Sequence, residues 1–192
     1  MIIVNAFLCR FIDQKKFIFI TLTIVLLCGF SYGLVKYHSF QKYIQFFFQN
    51  LYYLNDEKYL NQYQLYLFQN AFYILICTYF SSSYIGQLGI LFLTFIKGIQ
   101  FAFSLLYVLN IVQISFLIII FILIETLFEI LFIYSLNSMC MHLSFYVTLI
   151  SFYLEQNLNI KSTLNYRLNS LIISLIIFSI SLAFRIYIIP LF

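Results

Sequence analysis

The sequence predicts an all-α fold, a polytopic integral membrane helical bundle of about five transmembrane helices forming a single integral membrane domain over residues 1–192. Three observations predict it. The chain is 64% hydrophobic and only 8% charged, with mean hydropathy +1.02, which leaves too little polar surface to cover a soluble globule. Its apolar residues gather in runs near 20 residues, the length that crosses a hydrocarbon layer about 30 Å thick as a helix. Its ten basic and six acidic residues are thinly scattered, a pattern that marks topology. No basic cluster is present to hold the phosphates of a nucleic acid.

The first apolar run, about 17–35, follows Arg10, Lys15 and Lys16. Cations before the first span place residues 1–16 in the cytoplasm as a tail. The run is about 19 residues long and no small-x-small cleavage site follows it, so it reads as a retained anchor and not as a signal peptide.

Residues 36–63, "KYHSFQKYIQFFFQNLYYLNDEKYLNQY", form the largest polar connection, and by alternation it is extracytoplasmic. Tyr43, Phe47, Leu51 and Leu54 recur at three- to four-residue spacing, which fits a helix lying along the interface or an aromatic-rich loop.

The second span covers about 64–80. The short "SSSYIG" segment then returns the chain through the third, about 85–106, so these two form an antiparallel hairpin. After "NIVQ", 110–113, an apolar run extends from Ser115 to Leu154. Forty residues of helix would measure about 60 Å, twice the membrane, and the polar "YSLNSMCMH", 134–142, is the expected break. The last span, about 170–190, follows a polar connection, 155–168, that holds Lys161 and Arg167. With those two cations in the cytoplasm the count is five spans; with them outside it is six. Arg185 lies close enough to its helix end to reach the interface as an anchor.

The third span carries the candidate site. Gly86, Gly89 and Gly98 lie in it, and Gly98 with Ala102 forms a small-x-x-x-small pair, the arrangement that lets helix backbones approach closely in lipid. These glycines are expected to seat the second and fourth helices against the third. Lys97 lies near mid-span, where a cation costs about 2.5–3.5 kcal/mol unless it is paired or reaches water. Glu125 and Glu129 in the following span lie at i and i+4, so both carboxylates leave one helix face. A Lys97 contact with either acid is therefore available, and the cluster reads as an ion or proton path or as a polar lock on helix register.

Cys9, Cys28, Cys77 and Cys140 are far apart, with no Cys-x-x-Cys, and three of them sit in apolar runs as small hydrophobes. His38 and His142 are too distant from each other for shared metal or haem ligation. No catalytic set, metal-ligand cluster or phosphate-binding loop is visible, so the sequence predicts no cofactor and no enzyme.

The order of these features resembles the stage II sporulation protein M family of endospore-forming bacteria. The likeness rests on "IGQLGILFLTFIKGIQFAF", whose Gly86, Phe95, Lys97, Gly98, Ala102 and Phe103 stand at that family's intervals, Ala102 replacing a glycine and Leu88 a proline. "LIETLFE", 123–129, is similar to a Leu-Pro-x-x-x-x-Glu element, with Ile124 in place of the proline and Glu129 at its acid. The carboxyl-terminal "LIISLIIFSISLAFRIYIIPLF" resembles the last span.

That resemblance implies a non-enzymatic scaffold in the bacterial cell membrane, at the mother-cell septum. There it would hold two membrane-anchored peptidoglycan-degrading partners, stage II sporulation proteins D and P, while the membrane migrates around the forespore during engulfment. Phe46, Tyr52 and Tyr53 of the outer connection suit the core of such an interface. Two alternatives come from other classes: "YIGQLGILF" also looks like part of the sixth membrane subunit of respiratory complex I, and the Lys97, Glu125 and Glu129 charges suit a small transporter.

Overall fold

The structure, a computed structural model, describes residues 2–52, 59–110, 116–152 and 160–183. In the described residues five α-helices follow one another: α1 (Ile2–Tyr52), α2 (Tyr59–Ser81), α3 (Gly86–Asn110), α4 (Phe116–Ser151) and α5 (Ile160–Ala183). No strand occurs among the described residues. Among the described residues three segments are long and apolar enough to cross a membrane, Lys16–Lys42, Gly86–Tyr107 and Ile119–Ser151. The exterior differs from that of a soluble domain, and the apolar core also holds polar side chains. Phe17, Leu75, Phe92, Leu127 and Ile176 face outward, whereas Asn70, Thr94, Lys97, Glu125, Asn137 and Ser181 are buried. Large apolar side chains on the outer surface and polar ones inside suit a hydrocarbon surround, in which buried polar groups pair with each other.

Helices successive in the chain alternate in direction. Gly29 and Gly33 of α1 meet Gly98 and Ala102 of α3 in the same order along both chains, so α1 and α3 run parallel. The four-residue segment Ser82 to Ile85 reverses the chain between α2 and α3. It is closed by backbone bonds from Ser83 N to Phe80 O at 3.1 Å and from Gly86 N to Ser83 O at 3.1 Å. On the far side, α4 runs antiparallel to α3 and α5 antiparallel to α4, the last fixed by a 2.7 Å bond from Ser174 Oγ to Ser135 Oγ and by the Phe132 and Phe178 rings 5.1 Å apart.

Three expectations are corrected by this arrangement. First, the polar segment 134–142 is no break: α4 is a single 36-residue helix, about 54 Å long. Tyr134, Asn137, Met141 and Ser144 recur at three- to four-residue spacing, so their side chains can line one inward face and bond to other helices, and the helix has no reason to end there. Second, α1 continues past Val35 to Tyr52, so 36–52 is helix continuous with the first span. Among the proposed interface residues, Phe46 and Tyr52 are on that helix and Tyr53 lies outside the described residues. Third, α5 begins at Ile160, so the connection expected at 155–168 is helical over its second half. Arg185 lies outside the described residues.

Candidate functional site: a buried polar cluster on one face of helix α3

The site is built on α3, whose successive residues serve opposite neighbours. Adjacent positions on a helix point about 100° apart, so Lys97 and Gly98 address different partners. Gly98 faces α1, where an added Cβ would meet the Leu26 carbonyl oxygen and, at 2.9 Å, the Phe30 nitrogen. Gly29 meets the Phe95 carbonyl in the same way, and a Cβ on Gly33 would come within 2.7 Å of the Ala102 Cβ. The two pairs, Gly29 with Gly33 and Gly98 with Ala102, therefore interlock as one close backbone contact. Tyr32 beside Phe95 and Tyr37 beside Phe103 cover it with ring pairs 5.9 and 6.3 Å apart. The expectation that Gly98 seats α2 or α4 is thus wrong: without a side chain, it serves the neighbour that comes nearest, and that is α1. Gly86 and Gly89 do serve α2, making room for the Phe80 carbonyl and the Phe80 ring, while Ser144 Oγ of α4 lies 3.0 Å from the Cβ position of Gly86.

Lys97 points to α4 and is 6% exposed. Its Nζ lies 3.4 Å from Glu129 Oε1, a buried ion pair, and 5.1 Å from the centre of the Tyr73 ring on α2. The ring's negative face adds a second attraction for the ammonium. Glu125, one turn before Glu129, is also buried, at 2% exposure. Both acids and the lysine predicted from the sequence are therefore in the interior, and Lys97 pairs with Glu129.

One turn or more beyond this pair lies a second polar centre. The fully buried Asn137 of α4 places its Nδ2 2.8 Å from Thr94 Oγ1 on α3. The Thr94 hydroxyl already donates to Ile90 O at 2.7 Å, so toward Asn137 it accepts. That fixes the orientation of the amide, its nitrogen toward α3. The Asn137 Oδ1 then accepts from Tyr73 Oη at 3.0 Å and from Cys77 Sγ at 3.4 Å, both on α2. Tyr73 also lies 2.7 Å from Nδ2. One side chain thus joins three helices, and through Tyr73 it continues to the Lys97 ion pair. Nearer the hairpin, Ser144 Oγ donates to Ser83 O at 2.7 Å and Thr148 Oγ1 to Tyr84 O at 3.3 Å, so α4 also holds the α2–α3 turn.

Asn137, Thr94 and Tyr73 were not among the residues predicted from the sequence, nor was the Gly29 and Gly33 pair of "GFSYG". Among the described residues no group of three or more His, Cys, Asp or Glu is placed to hold a metal ion.

Compared with known proteins, the chain matches no family model, no curated protein and no solved structure.

Proposed function

We propose that this chain is a non-enzymatic integral membrane scaffold with five membrane-crossing helices. The observation that carries the reading is that the buried cation is bonded across helices: Lys97 is held by Glu129 and by the Tyr73 ring, and beyond them Asn137 ties α2, α3 and α4 together. A polar cluster bonded across three helices fixes their register, which is what a platform for other membrane proteins requires. The alternating direction of the helices supports five crossings, with α2 and α5 as the more polar members of the bundle.

Within that class, the resemblance to stage II sporulation protein M names the setting: a multi-pass protein of the bacterial cell membrane at the mother-cell septum. Its partners there are the septal wall-degrading stage II sporulation proteins D and P. Supporting this are the positions that carry the likeness, since Lys97, Gly98 and Ala102 are the residues through which α3 engages both α4 and α1. A pull-down of the tagged protein from sporulating and from vegetative cells tests it. Recovery of the two wall-degrading proteins only from sporulating cells is the expected result. Recovery of neither at any stage contradicts the setting, and recovery of respiratory subunits contradicts the class.

A further inference from the structure

Two thiols meet inside the bundle. Cys77 of α2 and Cys140 of α4 are both free and completely buried. The chain of α2 and the turn after it runs beside α4 in the same direction. Tyr73 and Cys77 bond with Asn137, Ser83 with Ser144 and Tyr84 with Thr148, partners 60 to 64 positions apart. Cys140 follows Cys77 by 63 positions, so the two stand at one level. Cys140 is also three residues after Asn137, whose Oδ1 accepts from Cys77 Sγ at 3.4 Å, and positions three apart share a helix face. The two sulfurs are near enough to interact electrostatically, and both do so with Tyr73.

A thiol is a weak hydrogen-bond donor, whereas a thiolate is a strong ligand for soft metal ions. The described residues bring two thiols together and no third Cys, His, Asp or Glu. Structural zinc takes four such ligands, and calcium takes six or more oxygens. A cuprous ion is soft and univalent, and two thiolates in line satisfy it. The surroundings suit such an ion: Met139 and Met141 on either side of Cys140 are buried, and Ile90, Ile133 and Leu136 belong to the same core.

We propose that Cys77 and Cys140 form a two-coordinate site for a cuprous ion, which bridges α2 and α4. Two thiols and one cuprous ion give one bis(thiolate) complex and two released protons, with no change of oxidation state. The complex carries one negative charge. Lys97 lies within electrostatic reach of Cys77 and over the ring of Tyr73, one turn from Cys77, so its ammonium opposes that charge. Asn137 Oδ1 gives up the Cys77 donor and keeps the Tyr73 hydroxyl at 3.0 Å.

The site goes beyond the scaffold reading and does not depend on it. The test is copper retention by the purified full chain in lipid nanodiscs under anaerobic, reducing conditions. One equivalent of cuprous ion is offered in competition with the chelator bathocuproine disulfonate. The wild-type protein is expected to keep one copper per chain, with X-ray absorption reading two sulfur neighbours. Cys77→Ser and Cys140→Ser each abolish retention, and the Cys9→Ser/Cys28→Ser variant retains the ion. Copper raises the melting temperature of the wild-type protein and leaves that of Cys140→Ser unchanged. Failure of the wild-type protein to hold copper overturns the proposal without any variant having to fold. So does a shell of nitrogen or oxygen neighbours, or retention unchanged in both single variants. Loss of two hydrogens from the intact mass, with no metal held, identifies a disulfide instead and also overturns it. Partner recovery in the pull-down reads the scaffold and is unaffected by any of these outcomes.

Discussion

The two faces of α3 are held by opposite means. Toward α1, Gly98 and Ala102 bring backbone against backbone at Gly29 and Gly33, with a side-chain hydrogen bond from Asn110 Nδ2 to Tyr37 Oη at 3.1 Å at the far end of α3. Toward α2 and α4, Thr94 and Lys97 reach into a cluster of ion pair, aromatic ring and amide. The first contact depends on shape and is indifferent to charge; the second depends on every partner being present. Without a hydrophobic force between helices in lipid, close packing and interhelical polar bonds are the two available sources of attraction. Here one helix uses each on a different side.

The difference can be broken from either end. Lys97→Leu leaves Glu129 without its cation and is expected to cost about 3–5 kcal/mol, as for removal of one member of a buried pair, read as loss of the folded monodisperse species in a thermal melt in detergent. Adding Glu129→Gln to Lys97→Leu recovers much of that loss, because position 129 then carries no charge that needs the lysine. On the other face, Gly98→Leu drives a side chain into the Leu26 carbonyl of α1 and costs about 1–3 kcal/mol by overpacking. This loss is not relieved by any change of charge. A charge-neutral substitution there should be as harmful at high salt as at low.

Smaller effects sharpen the comparison. Asn137→Leu removes the bond to Thr94 and both acceptor bonds from α2, and should lower stability by about 1–2 kcal/mol, near the upper range for interhelical hydrogen bonds in bilayers. The melt should also show that Tyr73→Phe and Asn137→Leu are non-additive, since they share a bond. Ser174→Ala removes one hydroxyl bond to Ser135 and is expected to cost about 0.6 kcal/mol. A loss as large as that of Asn137→Leu would mean that α5 is held by more than its apolar face and this bond.

The charge cluster was legible in the sequence because its signal is local. Glu125 and Glu129 share a face by their spacing, and a lysine within an apolar run requires a partner. The helical hairpin was legible for the same reason, from a short polar turn between two apolar runs. The centre at Asn137 was not, because "YSLNSMCMH" reads by composition as a break, although its polar residues fall at helical spacing on one face. Composition averages over faces, and only periodicity separates a polar loop from a helix whose polar side is turned inward. The partner of Gly98 was hidden for a different reason. A small-residue pair announces a close approach without saying to which helix, and the matching Gly29 and Gly33 stand some seventy residues earlier in the chain. The continuation of α1 through 36–52 escaped because polar and aromatic residues at helical spacing fit an interfacial helix and a spanning helix equally well.

The central claim is that Lys97 and Glu129 lock α3 to α4. A double-mutant cycle of Lys97→Leu and Glu129→Gln in detergent-solubilised full-length protein, read by reversible unfolding, measures their coupling directly. The lock predicts a coupling of about 1–3 kcal/mol, with the double variant more stable than Lys97→Leu alone. Additive losses, with no coupling beyond error, would show that the two side chains are neighbours and not a lock.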